Sequence, residues 1–127
     1  MPENWKTYKL ENLASIKGGK RMPKGVALVE TPTAHPYLRV TNMGQRKVPL
    51  DQLLYVPDEV FDKISRYIVS KDDVILSIVG TIGSVAIISD ELHKANLTEN
   101  CVKLTELKNI DHSFLYYFLK SNIGQNE

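Results

Sequence analysis

The stretch Val74–Ile88, VILSIVGTIGSVAII, constrains the fold of this 127-residue chain more than any other. Two apolar, β-branched runs, Val74–Val79 and Ser84–Ile88, flank Gly80-Thr81-Ile82-Gly83. Consecutive Val, Ile and Leu offer water no polar face, so each run reads as a strand covered on both sides. Glycine accepts positive φ without a Cβ penalty, which lets the chain reverse between the runs. The expectation is a central buried β-hairpin with Thr81 and Ser84 projecting at its polar tip. A hairpin that only builds the core explains the arms equally well, and leaves the role of the tip open.

A chain of this length forms one domain with a sizeable core. Its 43% hydrophobic and 24% charged residues are ordinary for a soluble globular protein. The apolar run is interrupted by Gly, Thr and Ser and is too short to span a bilayer. Met1–Asn4 carries neither the basic nor the apolar region of a secretory leader. The single cysteine, Cys101, forbids an internal disulfide and points to a reducing compartment. A cytoplasmic protein without a membrane partner is expected.

The formal net charge of +1 hides an asymmetry. Residues 1–50 carry nine Lys/Arg and three Asp/Glu, a balance of +6, whereas residues 51–127 carry seven and twelve, a balance of −5. Such a split suits a basic face for a polyanion and a second face with another task. Chance segregation that folding then mixes is an equal alternative on charge alone.

In chain order, Trp5–Leu10 alternates as a short strand, and Leu10, Leu13, Ala14 and Ile16 space as an amphipathic helix, Leu10–Lys17, stopped by Gly18. Gly18–Gly25, GGKRMPKG, is a loop carrying Lys20, Arg21 and Lys24. Val26–Val29 is a weak strand. Tyr37–Thr41 alternates as a strand, with Leu38 and Val40 on one face and Tyr37, Arg39 and Thr41 on the other. Asn42-Met43-Gly44 turns it. Pro49–Pro57 is irregular or an edge strand, because both prolines block ladder bonds. A short helix over Asp58–Ile64 and a polar turn at Ser70–Asp73 lead into the hairpin. Ala95–Leu97 and Cys101–Thr105 read as a second pair of strands around Thr98–Asn100. Asp111 caps a final helix, His112–Ser121, with Phe114, Leu115, Phe118 and Leu119 on its core side and Gly124 at its end. Residues 122–127 read as a flexible polar tail.

Several chemistries are set aside. GGKRMPKG is neither a Walker loop nor a GxGxxG turn. His35, His93 and His112 are isolated, without HExxH or zinc spacing. There is no GxSxG elbow, and the Asn/Asp-Pro-Pro-aromatic motif of amino-methyltransferases is missing. No cofactor is expected. One weak pattern remains, Asp58 with Glu106 and Lys108, which can mimic the two carboxylates and lysine of a metal-dependent nuclease. A helix-start Asp and a solvated strand end explain the same residues more simply.

The ordered set of motifs carries a resemblance. Trp5 with Leu10, Leu13 and Ile16, then GGKRMPKG, then Pro36–Asn42 (PYLRVTN) form one half. Asp73–Ser77 (DVILS), Gly80–Gly83 (GTIG), Asn96–Asn100 and Phe114–Ser121 (FLYYFLKS) form the other. Together they resemble the target recognition domain of type I restriction–modification specificity subunits, over nearly the whole chain. The resemblance implies an α+β, β-rich single domain with a few short helices. It also implies sequence-specific recognition of double-stranded DNA without catalysis, directing an adenine methyltransferase (M) subunit and through it a restriction (R) subunit. The family carries two such domains joined by long helices; here residues 1–127 match one, without the spacer helix after Ser121. This is expected of a fragment or a natural half-subunit, and leaves open the pairing of two copies as a homodimer. The family often has Gly-Asp before the hairpin, where this chain has Asp72-Asp73.

The residues agree on independent grounds. Lysine and arginine supply most DNA affinity by neutralising phosphates, so Lys20, Arg21 and Lys24 in a Gly-rich loop are expected contacts. Arg39 can bond guanine in bidentate fashion and Asn42 adenine. Thr81 and Ser84 can donate to phosphates. Ordinary alternatives exist for each: a solvated loop, an ion pair of Arg39 with an acidic residue of the second half, and an Asn42 that bonds its own backbone. A protein-interaction module using the acidic half and the C-terminal helix is the further alternative.

Overall fold

A computed structural model of the chain describes residues 14–79, 83–108 and 110–125, with side chains as far as Ser121. Strands β4 (Val74–Ser77) and β5 (Val85–Ile87) pair antiparallel, Val74 opposite Ile87 and Leu76 opposite Val85, and every residue of both is buried. Successive side chains point to opposite faces, which explains the unbroken apolar run. Val74, Leu76, Val85 and Ile87 pack with Leu104 and with Leu115, Tyr116 and Leu119 of helix α1 (His112–Gln125). Ile75, Ala86 and Ile88 pack the other way, with Leu38, Val69, Leu92 and Leu97. Each such Val, Leu or Ile contributes about 1.5–3 kcal/mol over an exposed one.

Two sheets result. β7 (Cys101–Thr105) lies antiparallel between β4 and β1 (Ser15–Gly18), giving the order β1-β7-β4-β5. In the second sheet β2 (Pro36–Leu38) sits between β3 (Leu54–Tyr55), antiparallel, and β6 (Asn96–Leu97), parallel. A third cluster, Tyr37, Val56 and Ile64 with Met22, Phe61 and Tyr67, packs the 3-10 helix Asp58–Ile64 against this second sheet.

Several local expectations change. Ser15–Lys17 are strand rather than helix, because pairing with β7 from Ser15–Thr105 to Gly18–Val102 overrides their helical spacing; the earlier part of that helix, and the strand over Trp5–Leu10, lie outside the described residues. The weak strand Val26–Val29 reduces to one bridge, Val29–Tyr55. β2 stops at Leu38, with Tyr37 and Leu38 both buried, and Val40–Asn42 becomes a 3-10 turn. β6 and β7 do not pair with each other; the turn between them crosses from the second sheet to the first.

The hairpin arms are shorter than the apolar run. The Ser84 N–H donates to Ser77 Oγ at 2.8 Å and closes the ladder, so Ile78 and Val79 emerge 43% and 51% exposed. Gly83 sits at φ 95, the left-handed conformation expected of the reversal. Before the hairpin, Asp72 holds φ 71, and the Asp73 carboxylate accepts the Ser70 N–H at 2.8 Å. A left-handed position at 72 gives the physical reason why Gly-Asp suits this turn.

Helix α1 starts as the sequence suggests, the Asp111 carboxylate accepting the N–H groups of Ser113 and Phe114 at 3.0 and 3.3 Å. Its core side is rotated: Leu115, Tyr116 and Leu119 are buried while Phe114 is 62% exposed. It runs on through Gly124 to Gln125, since a glycine inside a helix costs only about 1 kcal/mol. Arg46 ties the loop after β2 to this helix, donating to Ser113 Oγ and to Tyr117 OH and lying 5.5 Å from the Tyr117 ring centre.

Cys101 is fully buried, and burial pushes its thiol up to about 12 from an ordinary 9.0. The folded chain therefore keeps the proton that the unfolded chain loses near 9, so stability is complete below that pH and declines above it. Burial raises Tyr37 as well, from 10.0, adding to the decline. Urea midpoints should fall as pH rises through 9, and a thiol reagent should label Cys101 only on unfolding. Labelling of the native chain at the rate of an open thiol would contradict this.

Candidate nucleic-acid interface

Strand direction decides which loops meet. Gly18 lies opposite Val102 and Ser77 opposite Cys101, so β1 and β4 end where β7 begins. β5 begins at the same margin, opposite Leu76. The Thr98 N–H donates to Leu38 O at 3.1 Å, which brings the exit of β2 to the β6–β7 turn. Four segments therefore share one margin of the molecule: Gly19–Gly25, Arg39–Asn42, the described ends of the hairpin at residues 78–79 and 83–84, and Thr98–Asn100.

Backbone bonds lock their bases together. Gly19 N–H donates to Cys101 O at 3.2 Å, Lys20 N–H to Leu97 O at 2.8 Å and Ile78 N–H to Asn100 O at 2.9 Å. Tyr37 OH donates to Lys20 O at 2.7 Å. At Gly19 the approach is so close that a Cβ would stand 2.1 Å from Thr98 O and 2.3 Å from Leu97 O. The basic loop is thus fixed at its root, with Lys20, Arg21 and Lys24 exposed beyond it.

Two of the three have a distinct setting. Arg21 Nε lies 2.9 Å from Glu99 Oε2. Lys20 Nζ stands 5.9 Å from the centre of the Tyr67 ring, and the Arg66 guanidinium 5.8 Å from it. Cations held near a ring face are attracted by its quadrupole. Tyr67 therefore anchors two cations while packing beside Met22 in the third cluster. The exposed Arg66 extends the basic margin. Sequence reasoning missed Arg66, Tyr67 and Glu99, because only tertiary contact relates them to the loop; an Arg-Tyr pair beside an exposed turn is the sole local hint.

The remaining sequence-derived residues fall as follows. Arg39 is half-buried; its Nη2 donates weakly to Gln52 O at 3.5 Å, and its buried Nε has no partner. Among the described residues no carboxylate stands within ion-pair distance of it. Asn42 is buried, its Oδ1 accepting the Arg39 N–H at 2.9 Å and its Nδ2 donating to Gln52 O at 3.3 Å. Its amide holds the turn that carries Arg39. Ser84 is half-buried at the hairpin end, and Thr81 lies outside the described residues.

The opposite margin gathers carboxylates. Asp72, Asp73, Glu106 and Asp111 line a depression with Lys71 and His112, and Lys71 Nζ pairs with Asp90 at 3.0 Å. The charge split of the sequence thus survives folding in large part, although Arg46 and Lys47 stand beside the acidic side. The nuclease pattern is not assembled. Asp58 opens the 3-10 helix of the second sheet and pairs with His35 Nε2 at 3.2 Å, whereas Glu106 and Lys108 follow β7 of the first. Among the described residues no group of three His, Cys, Asp or Glu is placed to hold a metal ion, and no helix is long and apolar enough to cross a membrane.

Residues 2–126 match the family described as the type I restriction modification DNA specificity domain. The chain belongs to that family, the recognition part rather than a catalytic part of such enzymes. It is 24% identical over its whole length to the type I restriction enzyme MjaVIII specificity subunit of Methanocaldococcus jannaschii, covering 30% of that protein. It is 24% identical over 98% of its length to the EcoBI specificity subunit of Escherichia coli, covering 26%. The fold is shared with the HsdS subunit from Thermoanaerobacter tengcongensis, with a TM-score of 0.69 and 15% identity over 91% of this chain and 27% of that one. The chain thus spans less than a third of each of these relatives.

The fixed root of the basic loop has a direct consequence. Gly19→Ala should destabilise by about 1–3 kcal/mol, because the backbone it meets cannot step aside. Gly18→Ala, with nothing within 4 Å of the added methyl, should be nearly neutral. Urea denaturation of the two variants makes the comparison; equal effects would contradict the close packing of Gly19.

Proposed function

We propose that this chain reads one segment of double-stranded DNA in a sequence-specific way and directs a partner adenine methyltransferase, and through it a restriction subunit, to that target. The observation that carries the reading is the convergence of Lys20, Arg21, Lys24 and Arg66 on one margin, in a chain of the DNA specificity family. Lys20, Lys24 and Arg66 serve phosphates, releasing counterions. Arg21 and Arg39 serve base edges, Asn42 sets the turn that presents Arg39, and Thr81 and Ser84 supply hydroxyl contacts at the hairpin end. Each good bidentate base contact discriminates by about 1–3 kcal/mol. The chain itself performs no chemistry and acts in the cytoplasm. Phe114 and Tyr117, 62% and 57% exposed on α1, give that helix an apolar outer face suited to docking on the methyltransferase.

Selection from a randomised duplex library at low salt should enrich a short motif in fixed register. Lys24→Ala and Arg66→Ala should weaken binding to all sequences alike and each reduce the slope of log K against log salt by about 0.9. Retention without enrichment, or affinity that ignores salt, would contradict the proposal.

A further inference from the structure

We propose that Glu99 is a specificity-determining positioning residue, which holds the Arg21 guanidinium in the orientation that reads a base edge. The inference rests on the DNA reading above and adds a residue that carries the wrong charge for binding phosphates. Glu99 sits in the β6–β7 turn, at the centre of the basic margin. Its Oε2 takes Arg21 Nε at 2.9 Å, and its Oε1 accepts the Thr98 hydroxyl at 3.1 Å. Thr98 is 5% exposed and its N–H is bonded to Leu38 O. The carboxylate is therefore tethered to the strand framework, and through it so is an arginine whose side chain is otherwise 78% exposed.

The choice of nitrogen matters. The contact is made at Nε, which lets Nη1 and Nη2 serve as a two-pronged donor. That is the arrangement matching O6 and N7 of guanine in the major groove. Holding the side chain in the free protein removes part of the ordering cost that a loose arginine meets on binding. The electrostatics point the same way. A carboxylate at this margin repels every duplex equally, whereas the orientation it confers is rewarded only where the matching base is present. The two effects together widen the gap between right and wrong sequences. Exposed ion pairs add little to stability, so the pair's effect on recognition separates from any effect on folding.

The test compares wild type, Glu99→Gln, Arg21→Lys and the double variant. Each is put through selection from the random library, then titrated with the wild-type motif duplex and a scrambled duplex, with melting temperatures measured alongside. Glu99→Gln should bind the scrambled duplex more tightly and the motif duplex no better, lowering the ratio about tenfold. One motif position should lose its guanine preference. Arg21→Lys should lose the same position, and the double variant should be no worse than either single one. If Glu99→Gln binds both duplexes tighter by one common factor with the motif unchanged, Glu99 is only a repulsive charge and the inference is overturned. Should that variant melt early, loss of a different position by the correctly folded Arg21→Lys would overturn it equally. A wild-type chain that enriches no motif would overturn the DNA reading itself, and this inference with it.

Discussion

Burial of β4 and β5 on both faces is the constraint from which the rest of the architecture follows. A hairpin with no wet face needs two covers, and the chain supplies α1 on one side and the elements around the second sheet on the other. The order of layers is then fixed, and function is left to the loops at the strand ends. Loops carried on a rigid scaffold are where binding residues concentrate. Here the scaffold also sorts them, since antiparallel β1, β7, β4 and β5 bring several connections to one margin.

That margin combines fixed roots with exposed cationic tips. Backbone bonds from Gly19, Lys20 and Ile78 to Cys101, Leu97 and Asn100 set the spacing of the loops, while Tyr37 and Tyr67 hold Lys20 from two directions. Arg39 adds an unusual element. A buried donor without a partner costs about 1–3 kcal/mol, and its Nε is such a donor.

Much of this was legible in the sequence. The unbroken run from Val74 and the glycines beyond it specify a hairpin, and the basic GGKRMPKG segment specifies a charged loop. The motif order leads to the family that residues 2–126 match. The failures share a physical cause, which is pairing and packing with distant segments. Ser15–Lys17 are helical by spacing but become strand on the free edge of β7. Strands β6 and β7 look like neighbours but join different sheets, because the Thr98 N–H finds Leu38 O across the molecule. Phe114 fits the apolar stripe yet faces out, because Tyr116 occupies the core beside Leu115. In the site, Glu99, Arg66 and Tyr67 carry no local signature, whereas Asn42 has the right chemistry but spends its amide on its own turn.

The central claim is that the basic margin, and not its acidic opposite, meets DNA. Amide NMR shifts during titration with the selected duplex test it most directly. Changes should concentrate at residues 19–25, 39–42, 66–67, 83–84 and 98–100, and leave residues 71–73, 89–91 and 106–112 unmoved. Shifts centred on the second set, or spread evenly over both, would contradict the account.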